Sequence, residues 1–106
     1  LAREDVVREL TYTGRIFNGV EAQQMGFVTR VVDDPRAAAL ETAREIASKS
    51  PDAIRANKRL LNAAVAVDAA AGLMMESVEQ QKLIGSPNQV EAIMSNLQKR
   101  AANYKD

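Results

Sequence analysis

Apolar residues recur at three- and four-residue intervals through most of this chain, the signature of helices with one covered face. Val6, Val7 and Leu10 make one side of a segment over residues 2–12, and Gly14 is placed to end it, since glycine takes the left-handed conformation at a helix C-terminus without steric cost. Asn18 is set to cap a short second helix that runs through Gln24 and closes at Gly26. The run Phe27 to Val32 (FVTRVV) is rich in β-branched residues and predicts the one strand of the chain. A single strand needs a hydrogen-bonding neighbour from elsewhere.

Beyond Asp33-Asp34-Pro35 the pattern is helical throughout. Proline at a first helical position with acids before it marks a start, and Leu40, Ala43 and Ala47 follow at helical spacing as far as Ser48. Ser50-Pro51 opens the next helix with serine as N-cap, with Ala53, Ala56, Leu60 and Ala64 on one face. Asp68 is expected to cap a fifth helix, where Ala71, Met74 and Val78 share a stripe. Gly85-Ser86-Pro87 separates it from a last helix whose buried side is expected to be Val90, Ile93, Leu97 and Ala101. The expected fold is mainly α: six helices, one short strand near residues 27–32 and short turns, without repeats or low-complexity linkers.

The chain has 106 residues, room for one domain. Aromatic residues are only 4 %, so the helices must pack through thin side chains, and a core this modest calls for a partner surface. Fourteen Lys and Arg balance fourteen Asp and Glu, which argues against a nucleic-acid-binding domain and against a polybasic membrane anchor. Cysteine and histidine are absent, removing disulfides, thiol nucleophiles, Cys/His metal sites and any triad with an imidazole base. No targeting segment is visible in the first fifteen residues, and the longest apolar run, Ala69 to Met75, is too short to span a bilayer. The expectation is a cytoplasmic protein, and the start at Leu1 hints at a piece of something longer.

Candidate chemistry is sparse. Glu76 and Glu79 lie three apart on one helix, a spacing that suits paired acid–base work or, as we favour, a solvated face. Arg55, Lys58 and Arg59 form a basic cluster that suits a phosphate grip or an exposed charged face, the latter preferred. Lys99, Arg100 and Lys105 make a basic C-terminal end, for which the helix dipole is a sufficient reason.

The ordered motifs say more. Glu9-Leu10-Thr11-Tyr12-Thr13-Gly14-Arg15, then Val20-Glu21-Ala22, then Met25-Gly26-Phe27-Val28 resemble the enoyl-CoA hydratase/isomerase (crotonase) family, with its "EL-x-x-TGR" turn and "EA-x-x-x-G-hydrophobic-V" helix end. Ser50-Pro51 and Lys58 resemble the family's "SP-x-A-x-x-x-x-K" helix, and Ser86 to Arg100 its closing "S-x-D-x-x-EA…KR" helix, with Tyr104 at the aromatic that ends it.

That resemblance covers the chain and implies the C-terminal helical region of such an enzyme, the repeated ββα core lying upstream of Leu1. The core's two N–H donors would stabilise enolate-like charge on the thioester, and its carboxylates would activate water for addition across the α,β double bond. The implied catalytic set is therefore none within these 106 residues, and no cofactor or metal is implied, coenzyme A entering as the substrate's thioester. The implied partners are acyl-CoA and further copies of the chain, as a trimer or a dimer of trimers, with no nucleic acid and no membrane. Lys99 matches the closing-helix lysine that contacts the CoA phosphate or adenine region. Asn96 departs from the phenylalanine many members carry, with Leu97 a shifted apolar substitute. A stand-alone helical interaction module without catalysis is the alternative reading.

Overall fold

A computed structural model describes residues 2–106, in which the six expected helices are present: α1 (Glu4–Thr13), α2 (Gly19–Gln24), α3 (Pro35–Ala47), α4 (Pro51–Ala64), α5 (Ala69–Leu83) and α6 (Pro87–Leu97). The chain divides into two compact units, one up to Leu40 and one from Glu41 to Asp106.

In the first unit α1 ends at Gly14, which takes φ 62° and returns its N–H to the Leu10 carbonyl. Asn18 then caps α2 reciprocally: its side chain accepts from the Glu21 N–H at 3.0 Å, and the Glu21 carboxylate accepts from the Asn18 N–H at 3.0 Å. Arg15 pairs with the same carboxylate at 2.7 Å, and the hydrogen bonds from Asn18 and Arg15 hold the Glu21 carboxyl below its ordinary range. The rings of Phe17 and Phe27 stack across this turn with centroids 5.7 Å apart.

The strand expected near residues 27–32 is not formed, and no strand occurs among the described residues. After Gly26 the chain is bound back onto α2 instead. The Phe27 N–H reaches the Ala22 carbonyl at 2.9 Å, Gln23 donates to the Thr29 carbonyl at 3.3 Å, and Val31 lies against Gly19. β-branched composition supplies propensity, but a strand exists only through a ladder, and no neighbour is there to complete one.

In the second unit α4 packs on α5. Asp68 caps α5 through the Ala71 N–H at 2.8 Å, as Asp34 in the first unit caps the start of α3 through the Ala37 N–H. Ser50 precedes α4 as expected but makes no side-chain cap bond, so Pro51 alone pre-sets that start.

Of the faces expected to be buried, that of α4 is covered at Ala53, Ala56 and Leu60, and the others are largely open. The buried apolar residues among those described are Ala22 and Ala56, and no large side chain is fully enclosed. On α5 the stripe of Ala71, Met74 and Val78 is exposed, while Gly72, Met75 and Glu79 turn inward. On α6 the assignment inverts: Val90, Ile93 and Leu97 stand in the open, Leu97 at 73 % exposure, and the covered positions are Asn88, Ala92 and Ser95. Leu40, Ala43, Ala47, Ala64 and Ala101 are exposed as well. Helical periodicity marks a face that favours cover; outside α4, most of those faces have no counterpart among the described residues.

Candidate functional site

The polar inward face of α6 exists because the chain beyond it folds back. α6 closes in a left-handed turn: the Lys99 N–H bonds the Asn96 carbonyl at 3.2 Å and the Arg100 N–H bonds the Ser95 carbonyl at 3.0 Å. This is a Schellman closure, and its left-handed position is usually glycine. Here Lys99 occupies it with φ 51°, the only non-glycine residue with positive φ among those described. The bonds made by the chain beyond residue 99 offset that backbone strain.

The Arg100 guanidinium forks onto both oxygens of Glu91, at 2.5 and 2.9 Å, and the Asn103 N–H bonds the nearer oxygen at 2.7 Å. One turn earlier, the Asn88 side-chain amide grips the peptide of residue 105 from both sides, accepting from the Lys105 N–H at 2.9 Å and donating to the Lys105 carbonyl at 2.7 Å. The same Asn88 nitrogen donates to Asp52 at the start of α4, at 2.8 Å, and Arg55 on α4 reaches Asp106 at 2.7 Å. Asn88 is 6 % exposed and every buried side-chain polar atom among the described residues is satisfied. The tail is thus tied to two helices, and a groove of about 660 Å³ runs beside it, lined by Val90, Glu91, Arg100, Asn103 and Lys105 among others.

The Arg100 fork, then the Asn103 N–H, hold the Glu91 carboxyl down to about 2. The Lys99 side chain makes no hydrogen bond or ion pair among the described residues and is exposed, a cation available at the helix end. Arg100, expected to serve the helix dipole, is instead committed to Glu91.

The other candidates resolve into structure. Glu79 is not part of a solvated face: Arg59 crosses from α4 to fork onto it at 2.6 and 3.1 Å, Lys82 adds a bond at 3.3 Å, and its side chain is 13 % exposed. These bonds hold its carboxyl down to about 2, so it carries no proton for general acid work near neutrality. Glu76 stays on the rim of a separate apolar groove between α4 and α5, with Leu60, Leu61, Val67 and Met75. The basic cluster is an exposed charged face, as expected, in which Arg55 and Arg59 pair with Asp106 and Glu79 and Lys58 is the member left unpaired among the described residues. No group of acids able to hold a metal ion occurs among the described residues, and no helix among them is long and apolar enough to cross a membrane.

Asn88 and Glu91 were not singled out by sequence reasoning, although both sit inside the closing-helix motif. The "EA" of that motif is Glu91-Ala92, and Asn88 stands at its acidic position. An amide there supplies the two N–H donors that meet Asp52 and the Lys105 carbonyl, which a carboxylate lacks.

This helical segment has counterparts among proteins of known type. The description "Enoyl-CoA hydratase/isomerase" matches residues 3–106, and the chain belongs to that family. It is 31 % identical over 106 residues to "Probable enoyl-CoA hydratase 2, mitochondrial" of Arabidopsis thaliana, covering 98 % of this chain and 35 % of the relative. It is 34 % identical over 99 residues to "Probable enoyl-CoA hydratase" of Rhizobium meliloti, covering 92 % of this chain and 38 % of the relative. The crystal structure of an enoyl-CoA hydratase from Bacillus anthracis superposes with a TM-score of 0.87 at 34 % identity, over 92 % of this chain and 39 % of that one. The chain therefore spans 35–39 % of the length of these three proteins, and its helices reproduce a helical portion of their fold.

Proposed function

We propose that this chain is the C-terminal helical region of an enzyme that hydrates trans-2-enoyl-CoA thioesters, in which it supplies contacts between copies and one part of the coenzyme A site. The observation that carries the reading is the family match from residue 3 to residue 106, with relatives and a superposed structure that bear the hydratase name. In this reading the ββα core, with its N–H donors and water-activating carboxylates, belongs to the remainder of the protein. The carboxylates of Glu79 and Glu91 are locked in ion pairs here, so neither is a substitute for that chemistry.

Lys99 is the residue we assign to coenzyme A, as a point charge for a phosphate. Its ammonium is unpaired among the described residues while the neighbouring guanidinium is not. The substrate enters as its thioester with no further cofactor, and the protein works in the cytoplasm. The exposed apolar residues of α4, α5 and α6, among them Leu61, Leu73, Met74, Ile93 and Leu97, support self-association.

Crotonyl-CoA hydration, followed by loss of the enoyl-thioester absorbance, tests the division of labour. The 106-residue chain is expected to give no turnover, while the native protein, at more than twice this mass, is expected to give it. Turnover by the chain alone overturns the reading. A native product of 106 residues would instead favour the stand-alone interaction module.

A further inference from the structure

We infer that Glu91 and Asn88 are positioning residues for Lys99: they clamp the chain beyond its left-handed turn and so fix where its ammonium stands, an inference that rests on the phosphate-contact reading of Lys99. The argument is one of backbone geometry. A non-glycine residue held at φ 51° is in a region it visits rarely unless the surroundings over-determine it. Before Lys99, the constraint is the helix closure through the Asn96 and Ser95 carbonyls. After it, Arg100 is forked onto Glu91, Asn103 is bonded to the same carboxylate, and the peptide of Lys105 is gripped by Asn88.

The Lys99 side chain contributes no anchor of its own, having no partner among the described residues. The direction of its flexible four-carbon stem is therefore set by the backbone alone. Release of Arg100 and Asn103 removes the constraint on one side of the turn, and the residue is then free to relax toward the right-handed region. The ammonium leaves the end of α6 as it does so. The fork on Glu91 is bidentate, and such pairs supply geometric specificity as well as attraction. Asn88 extends the hold further along the tail, to residue 105, and Asp52 fixes Asn88 in turn.

The test is a calorimetric titration of the full-length protein with coenzyme A and with dephospho-coenzyme A, which lacks the 3′-phosphate. Lys99→Ala is expected to weaken coenzyme A about tenfold, the scale of one charge-assisted contact, and to leave dephospho-coenzyme A nearly unchanged. Glu91→Gln is expected to do nearly the same and to add nothing in the Lys99→Ala background. Arg100→Gln breaks the same fork from its exposed end and decides the matter if Glu91→Gln loses its helical circular dichroism. If Lys99→Ala weakens binding while Glu91→Gln and Arg100→Gln bind as the parent chain does, the positioning role falls and the Lys99 reading stands. If Glu91→Gln weakens binding equally with and without Lys99, its role is general stability and the inference is overturned. If Lys99→Ala has no effect on coenzyme A binding by the full-length protein, the Lys99 reading falls and takes the inference with it.

Discussion

Replacing Asn88 by alanine should release the tail, and the structure allows the cost to be worked out. The substitution removes one bond accepted from the Lys105 N–H, one donated to its carbonyl and one donated to the Asp52 carboxylate. Neutral hydrogen bonds contribute ~1 kcal/mol each and one to a charged group ~1.5–3 kcal/mol, so about 3.5–5 kcal/mol bounds the loss. The tail is at the surface, however, and once lifted its peptide groups are hydrated, which returns part of the desolvation penalty. The expected loss is about 2–3 kcal/mol, a fall in Tm of about 10–20 °C for a unit of this size. Urea unfolding followed by circular dichroism measures the first quantity, and hydrogen exchange at the Lys105 amide reports the tail directly. Asn88→Asp makes the sharper comparison. It keeps the acceptor for Lys105 but sets a second carboxylate against Asp52, so it should be worse than alanine at pH 7 and recover as pH falls through ~4. An Asn88→Ala chain within ~0.5 kcal/mol of its parent, below the usual worth of one hydrogen bond, with an unaltered Lys105 exchange rate, would refute the account of the docked tail.

The same geometry sets other outcomes. Glu79 and Glu91 sit at about 2 against an ordinary 4.5, so their pairs contribute stability that is complete above pH 4.5 and is lost as pH falls toward 2; an acid titration by circular dichroism should show this, and Arg59→Gln should shrink it. Asp68→Ala removes a formed cap and should cost α5 about 1 kcal/mol, whereas Ser50→Ala removes no cap bond and should fall within ~0.5 kcal/mol by urea unfolding. Gly14→Ala places a Cβ at φ 62° and should destabilise α1 by about 1 kcal/mol, read as lost helicity. Leu97→Asp on the open face of α6 should lower the mass seen by light scattering toward the monomer with little change in helicity; an unchanged mass would remove that face from the association.

The helix boundaries were legible because the signals that set them are local. Gly14, Asn18, Pro35, Asp68 and the Gly85-Ser86-Pro87 break each act within a few residues of themselves, and the structure uses them so, with Ser50 the exception in its missing bond. What faces what was not legible. Val90, Ile93 and Leu97 repeat as an inward stripe should, yet the covered side of α6 is Asn88, Ala92 and Ser95, because the partner on that side is a stretch of polar backbone from the tail. A periodicity reports that a face favours cover and carries no information about what supplies it. The strand failed for the same reason, since Phe27 to Val32 holds the propensity and not the neighbour. Lys99 was legible only through its match to the closing-helix motif; the fork of Arg100 onto Glu91, which separates the tied cation from the free one, was not.

The grip on the tail has a consequence for how this end of the chain tolerates change. Asn88 holds the peptide group of residue 105 and touches nothing that distinguishes lysine from any other side chain there. Position 105 is therefore open to acidic, apolar or small residues at little cost, with proline the exception, because it has no N–H to donate. Alleles differing at residue 105 should be interchangeable, while position 88 admits almost no substitute, so the information that docks the tail is written in the helix and not in the tail.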